Sequence, residues 1–200
     1  MSVSAKEIKE LREVTGVGFL DCKNALEEAN GDIDKAVDFL REKGLAKAAK
    51  RAGREASEGV LELYNHGNGR VGVMLEVNCE TDFVARSEEF RDFAHEIALQ
   101  IAASNPLWIQ EDEIPADILD REKEIARTLA LEEGKPEKIV DRIVEGRINK
   151  YIEEVVLLKQ PYIRNEDLTI EQYLHETIAA IGENIVIRRF VRWEVGQKSE

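Results

Sequence analysis

The sequence predicts an α+β fold, in which a bundle of three short helices precedes a small antiparallel sheet packed with helices and a helical hairpin. Three observations carry that prediction. Over Val71–Cys79 the apolar residues Val71, Val73, Leu75, Val77 and Cys79 alternate with Gly72, Met74, Glu76 and Asn78, the two-residue period of a half-buried strand. After Glu80 the alternation stops, and Phe90, Phe93, Ala94, Ile97, Ala98 and Ile101 recur at three- and four-residue steps, the stripe of a helix beginning near Ser87. Before Gly44 the chain holds three short helical stripes divided by glycine-containing breaks.

Taken in order, Ser4 can cap the first helix with Glu7 at the reciprocal position, and Ile8, Leu11 and Val14 supply its apolar face. Thr15-Gly16-Val17-Gly18 breaks it. Phe19, Cys22, Ala25 and Leu26 form the stripe of the second helix, which Asn30-Gly31 ends. Asp32 opens a third, with Ile33, Ala36, Val37 and Leu40 inward and Gly44 as its stop. The basic, alanine-rich stretch Lys43–Arg54 reads as a solvated linker rather than a phosphate contact.

Gly59–Tyr64 reads as a strand joined through Asn65-His66-Gly67-Asn68-Gly69 to the strand that Arg70 begins, an antiparallel hairpin. The glycine-rich loop is no phosphate cradle, because such loops lead into a helix amino terminus and this one leads into a strand. The helix from Ser87 ends before Asn105-Pro106. Ile118, Ile125, Ala126 and Leu129 mark a helix over Asp117–Glu132. After Gly134-Lys135-Pro136, Ile139, Val140, Ile143, Val144, Ile148, Tyr151, Ile152, Val155 and Val156 mark a longer one over Pro136–Leu158, and together they make a hairpin. Thr169 with Gln172 boxes the start of a helix that stops at Gly182. Ile185, Ile187, Val191 and Trp193 alternate against Arg188 and Arg192 as the third strand, with Trp193 assigned to the core. The predicted organisation is a three-helix domain over 1–44, a basic helical linker over 45–57, and an α+β core over 58–200 containing the hairpin 116–159.

At 200 residues the chain suits one sizeable domain or two small ones. Hydrophobic and charged fractions of 43% and 34% describe a globular protein. No run of about 18 apolar residues is present and the first 20 residues are charged, so neither a membrane span nor a secretory signal is expected, and the cytoplasm is the expected location. The two cysteines, Cys22 and Cys79, fit reduced, packed thiols. A net charge of -13 argues against direct binding to a nucleic-acid backbone. His66, His95 and His175 are scattered without partners at metal-ligand spacing, so neither a metal site, a cofactor nor a catalytic residue is expected. Glu76, Glu80 and Asp82 form an acidic line that reads as solvated rather than as a magnesium site.

Between the strand and the helix lies the corner Thr81-Asp82-Phe83-Val84. Such corners are usually polar, yet this one sets a Phe and a Val beside an Asp. Two readings stay open here. Phe83 and Val84 fold back onto the sheet, with Asp82 or Ser87 capping the helix, or they protrude as an apolar wedge for a partner.

The run Asn78–Arg86, NCETDFVAR, resembles the NCxTDFVA signature of bacterial elongation factor Ts, the guanine-nucleotide exchange factors of elongation factor Tu. Leu11–Leu26 resembles that family's amino-terminal motif, Gly182–Gly196 its closing strand, and Leu157–Tyr162 its LxxQPF element, with Tyr162 in place of Phe. The matches run over nearly the whole chain in family order.

The resemblance implies a ubiquitin-associated-like three-helix domain that grips the nucleotide-binding domain of elongation factor Tu through an apolar pair. Here that pair is Phe19 and Leu20, where the family commonly carries methionines. Periodicity turns Phe19 toward the core and leaves Leu20 as the better contact. The resemblance also implies that Phe83 is a wedge near the partner's magnesium, that Asp82 is the charged group beside it, and that Thr81 and Val84 keep the corner in shape. The magnesium is the partner's. The chain looks like a short family member, so a homodimer is expected, with Ile185–Trp193 as a candidate surface. The alternative is a non-enzymatic adaptor using the three-helix domain; a hydrolase with an acidic site is a third class.

Overall fold

A computed structural model of the chain describes residues 3–15 and 17–197; Gly16, part of the predicted break, lies outside the described residues. The elements are α1 Ala5–Thr15, α2 Phe19–Glu28, α3 Ile33–Arg51, β1 Glu58–His66, β2 Val71–Cys79, α4 Asp82–Ala85, α5 Glu88–Ser104, α6 Ala116–Glu132, α7 Glu137–Val155, β3 Pro161–Tyr162, β4 Asn165–Thr169, α8 Ile170–Ile181 and β5 Ile185–Glu194. One antiparallel sheet has the order β1-β2-β5, and β3 and β4 form a second antiparallel pair that the sequence pattern did not signal. This is the predicted α+β class. The predicted plain turn between β1 and β2 is present: Gly67, Asn68 and Gly69 all have positive φ, and Gly69 N donates to Asn65 Oδ1 at 2.9 Å.

The contacts divide the chain into two compact units. One holds the chain through Glu62, Leu75–His95 and Gln172–Arg188; the other holds Leu63–Met74, Glu96–Glu171 and the chain from Arg189.

In the first unit Ile8, Leu11, Cys22, Ala25, Leu26, Ala36 and Leu40 form the core of the three-helix bundle. The capping box forms as predicted, Ser4 N donating to Glu7 Oε2 at 2.7 Å and Glu7 N to Ser4 Oγ at 3.3 Å. Asp32 caps α3 by accepting from Lys35 N. Two expectations fail here. Val14 is exposed, since Ile8 and Leu11 alone complete the inward face of α1. Gly44 does not stop α3, which runs on to Arg51 through the first part of the predicted linker. A terminating glycine takes positive φ, and Gly44 does not; it is buried where α3 meets α8, and a Cβ built on it would stand 3.4 Å from Ala179 Cβ. Arg41 and Glu176 pair across the same contact at 3.2 Å.

In the second unit α7 presents the buried row Val140, Val144, Ile148 and Ile152, four residues apart, and α6 answers with Ala126 and Ala130. Ile125 and Leu129, expected inward, are exposed. The two alanines leave room for the branched side chains of α7. β5 departs from strict alternation: Ile185 and Ile187 are buried, Arg188 and Arg189 are both exposed, and Phe190 and Arg192 are the more buried residues thereafter. A one-residue slip in phase reverses every side chain that follows. Trp193, assigned to the core, is therefore 77% exposed, while Arg192 donates through Nε to Ala102 O.

Candidate functional site

The corner is built from the end of β2. Cys79 is fully buried and anchors the strand, and its thiol donates to Thr81 O at 3.2 Å. Burial first, then the nearby Glu183 carboxylate, pushes that thiol up to about 11. Thr81 has extended backbone and caps α4, its Oγ1 accepting from Val84 N at 3.3 Å while its carbonyl accepts from Ala85 N at 3.1 Å. Val84 and Ala85 turn inward and are buried. One turn later Ser87 Oγ accepts from Phe90 N and caps α5, the capping role expected of it.

Because Val84 points in, the residue before it on this single helical turn points out. Phe83 is 82% exposed, the most exposed of the large hydrophobic residues among the described residues. Of the two readings left open, folding back holds for Val84 and protrusion for Phe83. Leaving a Phe in water forgoes about 1.5–3 kcal/mol of burial. Asp82 does not cap a helix; it pairs with Arg86 at 2.7 Å, both well exposed. An exposed pair one helical turn apart is worth about 0.3–0.5 kcal/mol, weak enough to be exchanged for another partner.

The fixed side of the corner was not foreseen. Glu183 Oε2 accepts from Glu80 N at 3.1 Å and from Thr81 N at 3.0 Å, and its Oε1 accepts from Thr81 Oγ1 at 2.7 Å. In return Asn184 N donates to Glu80 Oε1 at 2.6 Å, and Arg54 reaches both oxygens of Glu80 at 3.4 Å. Asn184, only 3% exposed, donates through Nδ2 to Arg54 O. Glu80 of the acidic line is thus a bonded structural carboxylate. The signal that could have revealed this is a pair of polar residues, Glu183-Asn184, set directly before an apolar strand.

The second predicted site opens α2. Phe19 is 53% and Leu20 67% exposed, so Phe19 is not core as its spacing suggested; the inward stripe of α2 starts at Cys22. Asp21, next to the pair, is held by Lys43 and Lys47 of α3 at 2.9 and 3.0 Å, and those hydrogen bonds keep its carboxyl below the usual range. Phe19 and Leu20 thus lie on α2, whereas Thr81–Val84 lie between β2 and α5. Among the described residues no group of three His, Cys, Asp or Glu could hold a metal ion, and no helix is long and apolar enough to cross a membrane.

The sequence model of the family described as "Elongation factor TS" matches residues 3–197. The chain is 60% identical over 198 residues to the elongation factor Ts of Caldanaerobacter subterraneus subsp. tengcongensis, covering 99% of both chains. It is 56% identical to that of Carboxydothermus hydrogenoformans, over 98% of this chain and 90% of the other. Identity to that of Desulfosudis oleivorans is also 56%, over 98% and 99%.

Proposed function

Because the chain belongs to the elongation factor Ts family and is thereby a translation elongation factor, we propose that it is the guanine-nucleotide exchange factor of elongation factor Tu. It binds the GDP form, disturbs the partner's magnesium site and promotes GDP release so that GTP can rebind. The observation that carries this reading is Phe83, exposed between Thr81, whose backbone and hydroxyl are tied down, and Val84, which is buried. A large apolar group held in water is ready to enter another protein without first leaving its own core.

An exchange factor makes and breaks no covalent bond. It binds the nucleotide-free form of its partner better than the nucleotide-bound form, and linkage requires GDP to weaken its grip by the same factor. In this account Phe83 wedges beside the magnesium, Asp82 leaves Arg86 to act as the charged group there, and Thr81 and Val84 hold the turn that aims them. Phe19 and Leu20 supply an apolar contact with the nucleotide-binding domain. No cofactor, nucleic acid or membrane takes part.

We further propose a homodimer. Its support is an apolar surface on the second unit, where Leu63, Met74, Val191 and Trp193 are exposed around a shallow pocket. Of the strand first suggested for pairing, Ile185 and Ile187 are buried, which leaves Val191 and Trp193 as its available part.

Stopped-flow release of a fluorescent GDP from elongation factor Tu, at several magnesium concentrations, tests the exchange reading. The expected result is acceleration by the parent and little by Phe83→Ala. Acceleration by neither leaves the adaptor reading, for which Leu20→Glu should abolish partner capture while Phe83→Ala preserves it.

A further inference from the structure

We propose that Glu183 is a positioning residue for exchange, a clasp that presets the direction of Phe83 by fixing the chain at Glu80 and Thr81. The inference rests on the exchange reading above. Its basis is a density of bonds that the turn itself does not need. Thr81 Oγ1 already accepts from Val84 N and thereby caps α4, and the Thr81 carbonyl already receives Ala85 N and the Cys79 thiol. Glu183 adds three more bonds, all to the two residues that precede Asp82 and Phe83.

The chemistry of that carboxylate suits a clasp. It is acceptor-only, and it takes two adjacent backbone N–H groups on one oxygen and a hydroxyl hydrogen on the other. By taking the Thr81 hydroxyl hydrogen, Glu183 leaves the lone pairs of Oγ1 for Val84 N. The hydroxyl rotor is thus set from outside and the capping bond of α4 is aligned with it. Glu80 closes the clasp from the other side by accepting from Asn184 N and Arg54.

The mount is rigid as well. Glu183 follows α8 through Gly182, whose positive φ turns the chain out of the helix and whose N–H still bonds to Ile178 O at 2.9 Å. Asn184, Ile185 and Ile187 beyond it are buried, and α8 is held against α3 by the Gly44–Ala179 contact and the Arg41–Glu176 pair. Phe83 has little else to hold it, being exposed on a four-residue helix. Its direction depends on how firmly the turn beneath it is fixed.

The test compares Glu183→Ala, Glu183→Gln and Glu183→Asp with the parent in GDP release from elongation factor Tu, read as maximal rate and as half-saturating factor concentration. A misaimed group costs on the order of 10- to 100-fold when geometry carries the effect. Glu183→Ala is expected to lower the maximal rate by about that factor, with unchanged melting of the bundle helices and faster amide exchange at Glu80 and Thr81. Glu183→Gln keeps the reach and an oxygen for both N–H groups but turns its NH2 toward Thr81 Oγ1 and gives up the hydroxyl bond, so it is expected to fall between the parent and Glu183→Ala. Glu183→Asp keeps the charge but is one methylene short, and is expected to behave like Glu183→Ala. The reverse order, with Asp active and Gln inactive, overturns the clasp in favour of a charge effect.

A double variant separates this proposal from the reading beneath it. If Glu183 acts through Phe83, Glu183→Ala costs nothing further in a Phe83→Ala background, whereas a general structural role adds its full loss again. Activity lost in Phe83→Ala but intact in Glu183→Ala overturns the clasp alone. Activity intact in Phe83→Ala overturns the wedge, and the clasp with it.

Discussion

Phe83 decides between packing and function at the level of one side chain. A buried Phe replaced by Ala costs about 3–5 kcal/mol, whereas an exposed one changes stability by less than about 0.5 kcal/mol. With Phe83 82% exposed, thermal melting of Phe83→Ala should coincide with the parent while GDP release falls. Cys79 offers a second prediction. Its thiol sits at about 11 against an ordinary 9.0, so the folded chain holds that proton where the unfolded chain has lost it. Stability from this group is therefore full below pH 9 and falls as pH rises from there toward 11, by up to about 3 kcal/mol. Chemical denaturation of parent and Cys79→Ala across pH 8–11 checks the sign: the parent should lose stability faster. Native Cys79 should also resist alkylation at neutral pH, when the thiolate is scarce.

Among the elements, α3 shows how a glycine can be misread. Gly44 marks a close approach to Ala179 and not an end, so Gly44→Ala should raise stability by up to about 1 kcal/mol through helix propensity, its Cβ meeting Ala179 at contact distance. Gly44→Leu should lower it by roughly 1–3 kcal/mol by forcing the helices apart. Thermal melting of the two variants reads both signs. The same element shows what was legible in the sequence. Periodicity located all of the long helices and the three strands of the main sheet: β2 buries one continuous face, β1 half-buries every second residue, and β5 keeps its alternation on either side of a single slip. It misassigned Val14, Phe19, Ile125, Leu129 and Trp193, because the side that a stripe buries depends on which partner arrives and where a strand slips phase. Of the site, the sequence showed the apolar corner and the pair on α2. The polar pair Glu183-Asn184 before an apolar strand marked a bonded spot but not its partner, because Thr81 lies more than 100 residues away and meets Glu183 only through the packing of the first unit.

The molecule as a whole joins a translation elongation factor's sequence to exposed apolar features that a solitary chain would not need: Phe83 and the Phe19–Leu20 pair in the first unit, and the surface around Trp193 in the second. Of these, Phe83 and the Trp193 surface each carry a prediction for the whole molecule, in that order. The second predicts a dimer. Light scattering at micromolar concentration should give twice the chain mass of 22.7 kDa, and Trp193→Glu should return the single mass. A net charge of -13 makes association by charge alone unfavourable, so added salt should not dissociate the dimer. The first feature carries the central claim, that Phe83 couples binding of this chain to loss of GDP from its partner. The most direct measurement is the ratio of affinities of this protein for nucleotide-free and GDP-bound elongation factor Tu, by calorimetric titration of the parent and of Phe83→Ala. A large ratio is expected for the parent and one close to unity for Phe83→Ala. Equal ratios for the two proteins would contradict it.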